Sequence, residues 1–234
     1  TLEMAEERIA ERIDANLLDV SMEDLHVMPK DLYDNKMDRI RKKTQGKLII
    51  KEYPTASAHS GHFRALLNEL SLKKSFKPDA IFIDYLNICS SSRFKGGNIS
   101  SYFYVKAIAE ELRGLAVEFK LPIFTATQTT RTGFVSTDIG LEDTSESFGL
   151  PATADFMFAL MTSEELDSLN QMKVKQLKNR YSDPAINRSF IIGVDRSKMR
   201  LYDVEQKAQN IVDSNQEKDI EETDPYDKFS DFKV

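Results

Sequence analysis

Three apolar runs in this chain carry a polar or charged side chain at one end. Residues 80–87 read Ala-Ile-Phe-Ile-Asp-Tyr-Leu-Asn, with Asp84 closing the run before a polar, glycine-bearing loop. Residues 121–128 are apolar as far as Thr127 and Gln128, and residues 154–161 form a third run beside Asp155. Short runs of this kind read as buried parallel strands. An acid at the carboxyl end of such a strand sits where open α/β sheets place their ligands. If the three polar ends share one edge of the sheet, they suit a nucleotide phosphate site. The acid orients Mg²⁺ or its water shell, and the neighbouring amide senses a γ-phosphate or positions the attacking water. Taken singly, each has a plainer reading: a solvated strand end for Asp84 and a hydrogen-bond cap for Gln128.

The elements that must position these groups follow from periodicity. Residues 1–18 carry Leu2, Ile9, Ile13 and Leu17 at helical spacing and predict an amphipathic helix. Ser21 is expected to cap a short helical turn, and residues 30–45 a charged helix stopped by Gly46. Residues 47–53 read as a strand and 62–74 as a helix with Phe63, Leu66, Leu67 and Leu70 inward. A long helix is expected over 101–119, with Val105, Ile108, Leu112 and Leu115 on one face. Residues 163–170 read as a short helix, 172–180 and 189–194 as strands, and 199–204 as a strand folding back in a terminal hairpin. The alternation of strands and helices predicts an α/β fold with a parallel centre. The polar stretch 129–150 is too long for an ordinary connection and reads as functional loops. Residues 205–234 are acidic and polar, and read as a disordered tail on a domain spanning 1–204.

Composition restricts the classes available. The 234 residues are 41% hydrophobic and 30% charged, as in ordinary globular proteins. A formal charge of −6 argues against a uniformly basic coat for nucleic acid, but leaves room for a local basic channel. Cys89 is the only cysteine, which excludes a disulfide within the chain and suits a cytoplasmic compartment. No apolar run approaches the roughly 20 residues of a membrane helix.

Taken together, the motifs resemble the DnaB family of replicative helicases, over roughly residues 1–204. Thr1-Leu2-Glu3-Met4 is similar to the segment after that family's second core strand, and Ile83-Asp84-Tyr85-Leu86 to its Walker-B strand. Gln128-Thr129-Thr130-Arg131, Glu146-Ser147 with Ala154-Asp155, and Lys178-Asn179-Arg180 follow in family order. Residues 12–16, 106–112 and 149–156 look closer still to the T-even phage branch.

The resemblance implies a RecA-like P-loop NTPase core and an ATP-dependent helicase that uses Mg²⁺ and unwinds duplex DNA at the replication fork. Glu3 would be the catalytic base, Asp84 the acid that holds Mg²⁺ through water, and Gln128 the γ-phosphate sensor. Lys178 and Arg180 would reach a neighbouring subunit's ATP site, Arg180 as an arginine finger. A planar, permanently charged guanidinium matches the charge that develops on the transferred phosphoryl group. Two loops would grip single-stranded DNA by its backbone, one with Arg93, Lys95, Gly96 and Asn98, the other with Arg131, Glu146 and Gly149. The second loop departs from the bacterial pattern at Ser145 and Phe148. The implied partners are single-stranded DNA, further copies of the chain in a hexameric ring, a primase and a helicase loader, with no membrane.

A G-x-x-x-x-G-K-[ST] phosphate loop occurs nowhere in the 234 residues. The family places it before the segment that Thr1-Leu2-Glu3-Met4 resembles, together with the first strand of the sheet. The core is therefore expected to be incomplete at its amino end, and the isolated chain inactive as an ATPase. The alternative is a degenerate RecA-like module that binds DNA or replisome proteins without hydrolysing ATP.

Overall fold

In the computed structural model, the repeat of apolar residues in 101–119 produces one long helix whose inner face is the centre of the core. The structure describes residues 1–94, 99–129, 139–141, 149–183, 186 and 188–204. In chain order its helices are α1 (Glu6–Leu18), α2 (Met22–Val27), α3 (Lys30–Lys43), α4 (Ser60–Lys74), α5 (Ser101–Phe119), α6 (Gly149–Thr153) and α7 (Glu164–Ser168). The strands are β1 (Ile81–Ile83), β2 (Ile123–Thr125), β3 (Phe156–Met161), β4 (Gln171–Asn179), β5 (Ser189–Asp195) and β6 (Arg200–Asp203).

Strands β1 and β2 pair in parallel, with Ile81 opposite Ile123 and Phe82 opposite Phe124. This is the expected parallel centre. Alternation along β1 sends Ile81 and Ile83 into the core against α4 and α5 and leaves Phe82 outward. Val105, Ile108, Leu112 and Leu115 of α5 are buried there with Phe63 and Leu67 of α4. Strands β3, β4, β5 and β6 form an antiparallel sheet in that order, which contains the expected terminal hairpin. A Cβ at Gly193 on β5 would lie 2.3 Å from the Tyr202 ring, so only glycine lets that ring lie across the strand. Met157 of β3 packs against the same core as Ile123 of β2, so the two sheets share one interior.

Several local expectations change. Helix α1 starts at Glu6 rather than at residue 1, because the backbones of Thr1 and Leu2 are taken up elsewhere. The Thr1 amino group donates to the Lys51 carbonyl (2.9 Å), Tyr53 N–H donates to the Thr1 carbonyl (3.0 Å), and Leu2 N–H donates to the Asp84 carbonyl (2.9 Å). Thr1 and Leu2 thus lie between residues 51–53 and the end of β1, bonded to both sides. The strand expected over 47–53 does not form: Lys51 and Tyr53 bond across to Thr1, without a ladder. Helix α3 ends at Lys43 and is capped by Thr44, whose hydroxyl and N–H both donate to the Ile40 carbonyl, ahead of the Gly46 expected to stop it. Asp155 stands at the entry of β3, not at its carboxyl end, since the strand begins at Phe156 and runs away from it. Ser21 caps α2 as expected, accepting from Asp24 N–H at 3.0 Å. The tail 205–234 lies outside the described residues, as do most of the loops expected over 129–150.

Candidate functional site

Backbone bonding brings Glu3, Asp84 and Gln128 to one end of the parallel strands. Leu2, held to the Asp84 carbonyl, is buried at 3% exposure and anchors the exposed Glu3 that follows it. On the other side, Leu86 N–H donates to the Ala126 carbonyl (3.1 Å), and the Thr127 hydroxyl donates to Asn87 Oδ1 (2.8 Å). Gln128 Nε2 donates to the Tyr85 hydroxyl at 3.1 Å. These ties fix the strand ends, while the carboxylates of Glu3 and Asp84 accept no hydrogen bond from the described residues and face solvent. Two open carboxylates beside an amide are the donor set for a hydrated cation and the phosphates it accompanies. No cluster of three or more metal-ligating side chains occurs among the described residues.

Lys178 and Arg180 make their contacts at a second junction. The Arg180 guanidinium pairs with Asp155 Oδ1 and also donates to the Ala152 carbonyl (3.3 Å). Arg113 of α5 holds the other oxygen, Asp155 Oδ2, at 2.8 Å and donates to the Thr153 carbonyl at 2.9 Å. Lys178 Nζ donates to the carbonyls of Pro151 and Ala152. Three cations thus converge on the last carbonyls of α6 and one carboxylate, where free carbonyls favour positive charge. Burial, then the neighbouring Arg180, push the Lys178 ammonium below the usual lysine value, with Asp155 opposing.

Of the loop residues, Arg93 is half exposed and paired with Glu110. Gly149 is buried at the start of α6, where a Cβ would meet the Lys106 side chain at 2.7 Å. Lys95, Gly96, Asn98, Arg131 and Glu146 lie outside the described residues.

Glu111 was not singled out from the sequence. Its carboxylate accepts from the Ser60 hydroxyl (2.9 Å), the Ser91 hydroxyl (2.6 Å), and both the hydroxyl (2.7 Å) and N–H (3.0 Å) of Ser92. Burial raises its pKa, but the bonds from Ser91, Ser92 and Ser60 outweigh it and hold the group down at about 2. A signal was available: Glu110, Glu111 and Arg113 interrupt an otherwise apolar helical stretch.

Comparison with known proteins identifies the fold and the family. A solved ATPase domain superposes with a TM-score of 0.71 at 16% identity, over 88% of this chain and 73% of that one. A DnaB-like replicative helicase, solved in a study of its interactions with primase, gives 0.69 at 17% identity, over 87% of this chain and 49% of that one. These likenesses establish the RecA-like α/β fold. A DnaB-like replicative helicase of Enterobacteria phage T4 is 47% identical over 210 residues, which is 88% of this chain but 44% of that protein. The chain therefore spans less than half the length of that relative. Residues 1–197 match the model of the DnaB-like helicase C terminal domain, and the chain belongs to that family.

Proposed function

We propose that this chain is the motor segment of an ATP-driven replicative DNA helicase that moves on single-stranded DNA in the host cytoplasm. The observation that carries the reading is the backbone bonding of Leu2 to Asp84 and of Leu86 to Ala126, which gathers Glu3, Asp84 and Gln128 at one sheet end. Asp84 would hold Mg²⁺, which would supply charge neutralisation for the phosphates. Glu3 takes a proton from the attacking water, a task an ordinary carboxylate performs when correctly placed. Gln128, hydrogen-bonded to Tyr85, registers the γ-phosphate. Lys178 and Arg180 leave their carbonyls and Asp155 to meet the ATP bound by a neighbouring copy in a hexameric ring. Arg93, Lys95, Gly96 and Asn98, with Arg131, Glu146 and Gly149, line the path of the DNA strand. A primase and a loader complete the assembly.

The phosphate loop in this reading comes from outside the 234 residues, as a strand, loop and helix. Two features support it. The outer edges of β2 and β3 carry no ladder among the described residues, although both strands border one core. Phe82 and Phe124 stack at 4.9 Å on a bare sheet face, 73% and 50% exposed. An apolar surface of that kind calls for a covering element. The test is ATP hydrolysis by the purified chain, alone and joined to a segment carrying a phosphate loop. The chain alone should show no appreciable turnover. The joined protein should hydrolyse ATP in a DNA-stimulated way that Glu3→Gln abolishes. Robust turnover by the chain alone, lost in Glu3→Gln, would overturn the account.

A further inference from the structure

Helix α5 touches both regions for which a role on DNA or ATP is proposed. At its middle, Glu111 gathers Ser91 and Ser92, and Glu110 pairs with Arg93, so this one turn holds the base of the segment that leaves β1. Arg113, next on the same turn, grips Asp155, which in turn grips Arg180 through both its side chain and its backbone: Arg180 N–H donates to the Asp155 carbonyl at 2.9 Å. A shallow hollow between Arg93, Glu110, Arg113 and Thr153 marks where the two sets of contacts meet. Helix α5 is locked into the core by Ile108, Leu112 and Leu115, each at most 4% exposed. Close-packed interiors of this kind move as units rather than deforming gradually.

We propose that the turn Glu110 to Arg113 couples the loop after β1 to Arg180, with Asp155 as the link, so that Glu111 and Asp155 act as positioning residues. A pull on Ser91, Ser92 or Arg93 is carried by the two glutamates into α5, and by Arg113 into the one carboxylate that Arg180 shares. The coupling rests on the helicase reading for its purpose, since that reading assigns DNA to the loop and ATP to Arg180. Its physical content stands without it.

Two experiments separate the two claims. The first uses this 234-residue chain and amide hydrogen exchange, which needs no activity. Glu111→Gln should speed exchange at Ser92, whose N–H donates to Glu111, by about tenfold for loss of a charged acceptor. It should also speed exchange at Arg180, some seventy residues away, by at least about threefold, the lower end of measurable coupling. Faster exchange at Ser92 alone overturns the link. If Glu111→Gln does not fold, Ser92→Ala replaces it, since it removes one hydroxyl donor and leaves the half-buried Glu111 carboxylate its bonds from Ser60 and Ser91, and is judged at Arg180 by the same criterion. The second is a double-mutant cycle in the full helicase carrying this segment, read as ATP turnover with an oligo-dT strand. Glu111→Gln should raise the DNA concentration for half-maximal turnover. Asp155→Asn should lower kcat at saturating DNA with KM for ATP within about twofold. The combined loss in kcat/KM for DNA should fall short of the product of the two by at least about threefold. Losses that simply multiply overturn the coupling. Wild-type helicase without DNA-stimulated turnover sinks the functional reading instead, and the exchange result then decides the link.

Discussion

The end of the parallel strands and the end of β4 carry opposite charge and opposite degrees of internal satisfaction. At the first, Glu3 and Asp84 stand open on a backbone tied by hydrogen bonds from both sides. At the second, Lys178, Arg180 and Arg113 are each bonded to carbonyls of α6 or to Asp155. Carboxylates without a partner are open to a cation, whereas cations lodged on carbonyls and one shared acid already have theirs. The ion pairs at this second junction are partly exposed, so they contribute little to stability and separate at small cost. On the proposed reading the difference suits a divided site, with an acidic half that would keep its ligand in its own subunit and a basic half that would be lent to another.

The sharpest way to break the comparison is to remove the basic half alone. Arg180→Ala in the full helicase should reduce ATP turnover by about a thousandfold, the lower range for a lost arginine finger, with nucleotide affinity nearly intact. A parallel fall in binding and turnover, or no change in either, would show that Arg180 serves the fold rather than the neighbour's ATP. Next in size is the helix that both halves lean on. Leu115, fully buried on α5, should cost about 2–5 kcal/mol when cut to alanine, measured by urea unfolding.

Acid should act on α5 through Glu111. Glu111 titrates at about 2 in the folded protein against an ordinary glutamate value of 4.5, so its contribution to stability is complete above pH 4.5. It is lost as pH falls from 4.5 towards 2, because the unfolded chain then binds the proton first. Glu111→Gln should flatten that part of the pH–stability curve; an unchanged curve would deny Glu111 its role. The smallest effect sharpens the contrast between bare and covered surface. Phe82→Ser in the isolated chain should cost no more than about 1 kcal/mol, the scale of its stacking on Phe124. A much larger loss would mean that the outer sheet face is already covered.

The long helices and the hairpin were legible because their apolar residues repeat with a period that local geometry imposes. Residues 101–119 form the expected helix to the residue, and the strands β4 to β6 fall close to where their sequence puts them. Residues 1–5 and 47–53 were misread for one reason. Thr1 bonds to Lys51 and Tyr53, and Leu2 to Asp84, across fifty or more positions, and no local pattern announces such bonds.

The candidate site divides in the same manner. An acid closing an apolar run and an amide closing the next were enough to nominate Asp84 and Gln128, because a strand end is a local event. Glu3 gained its place beside them through ladder bonds that only the folded chain makes. The residues that organise the other junction were decided wholly by tertiary structure. Glu111 becomes a strongly held carboxylate because three serines from two separate segments converge on it, and Asp155 joins Arg113 to Arg180 because α5 and β4 pack on either side of α6. Sequence determines which side chains can carry charge and where a strand or helix must run; which charges meet is settled only when those elements close on a common core.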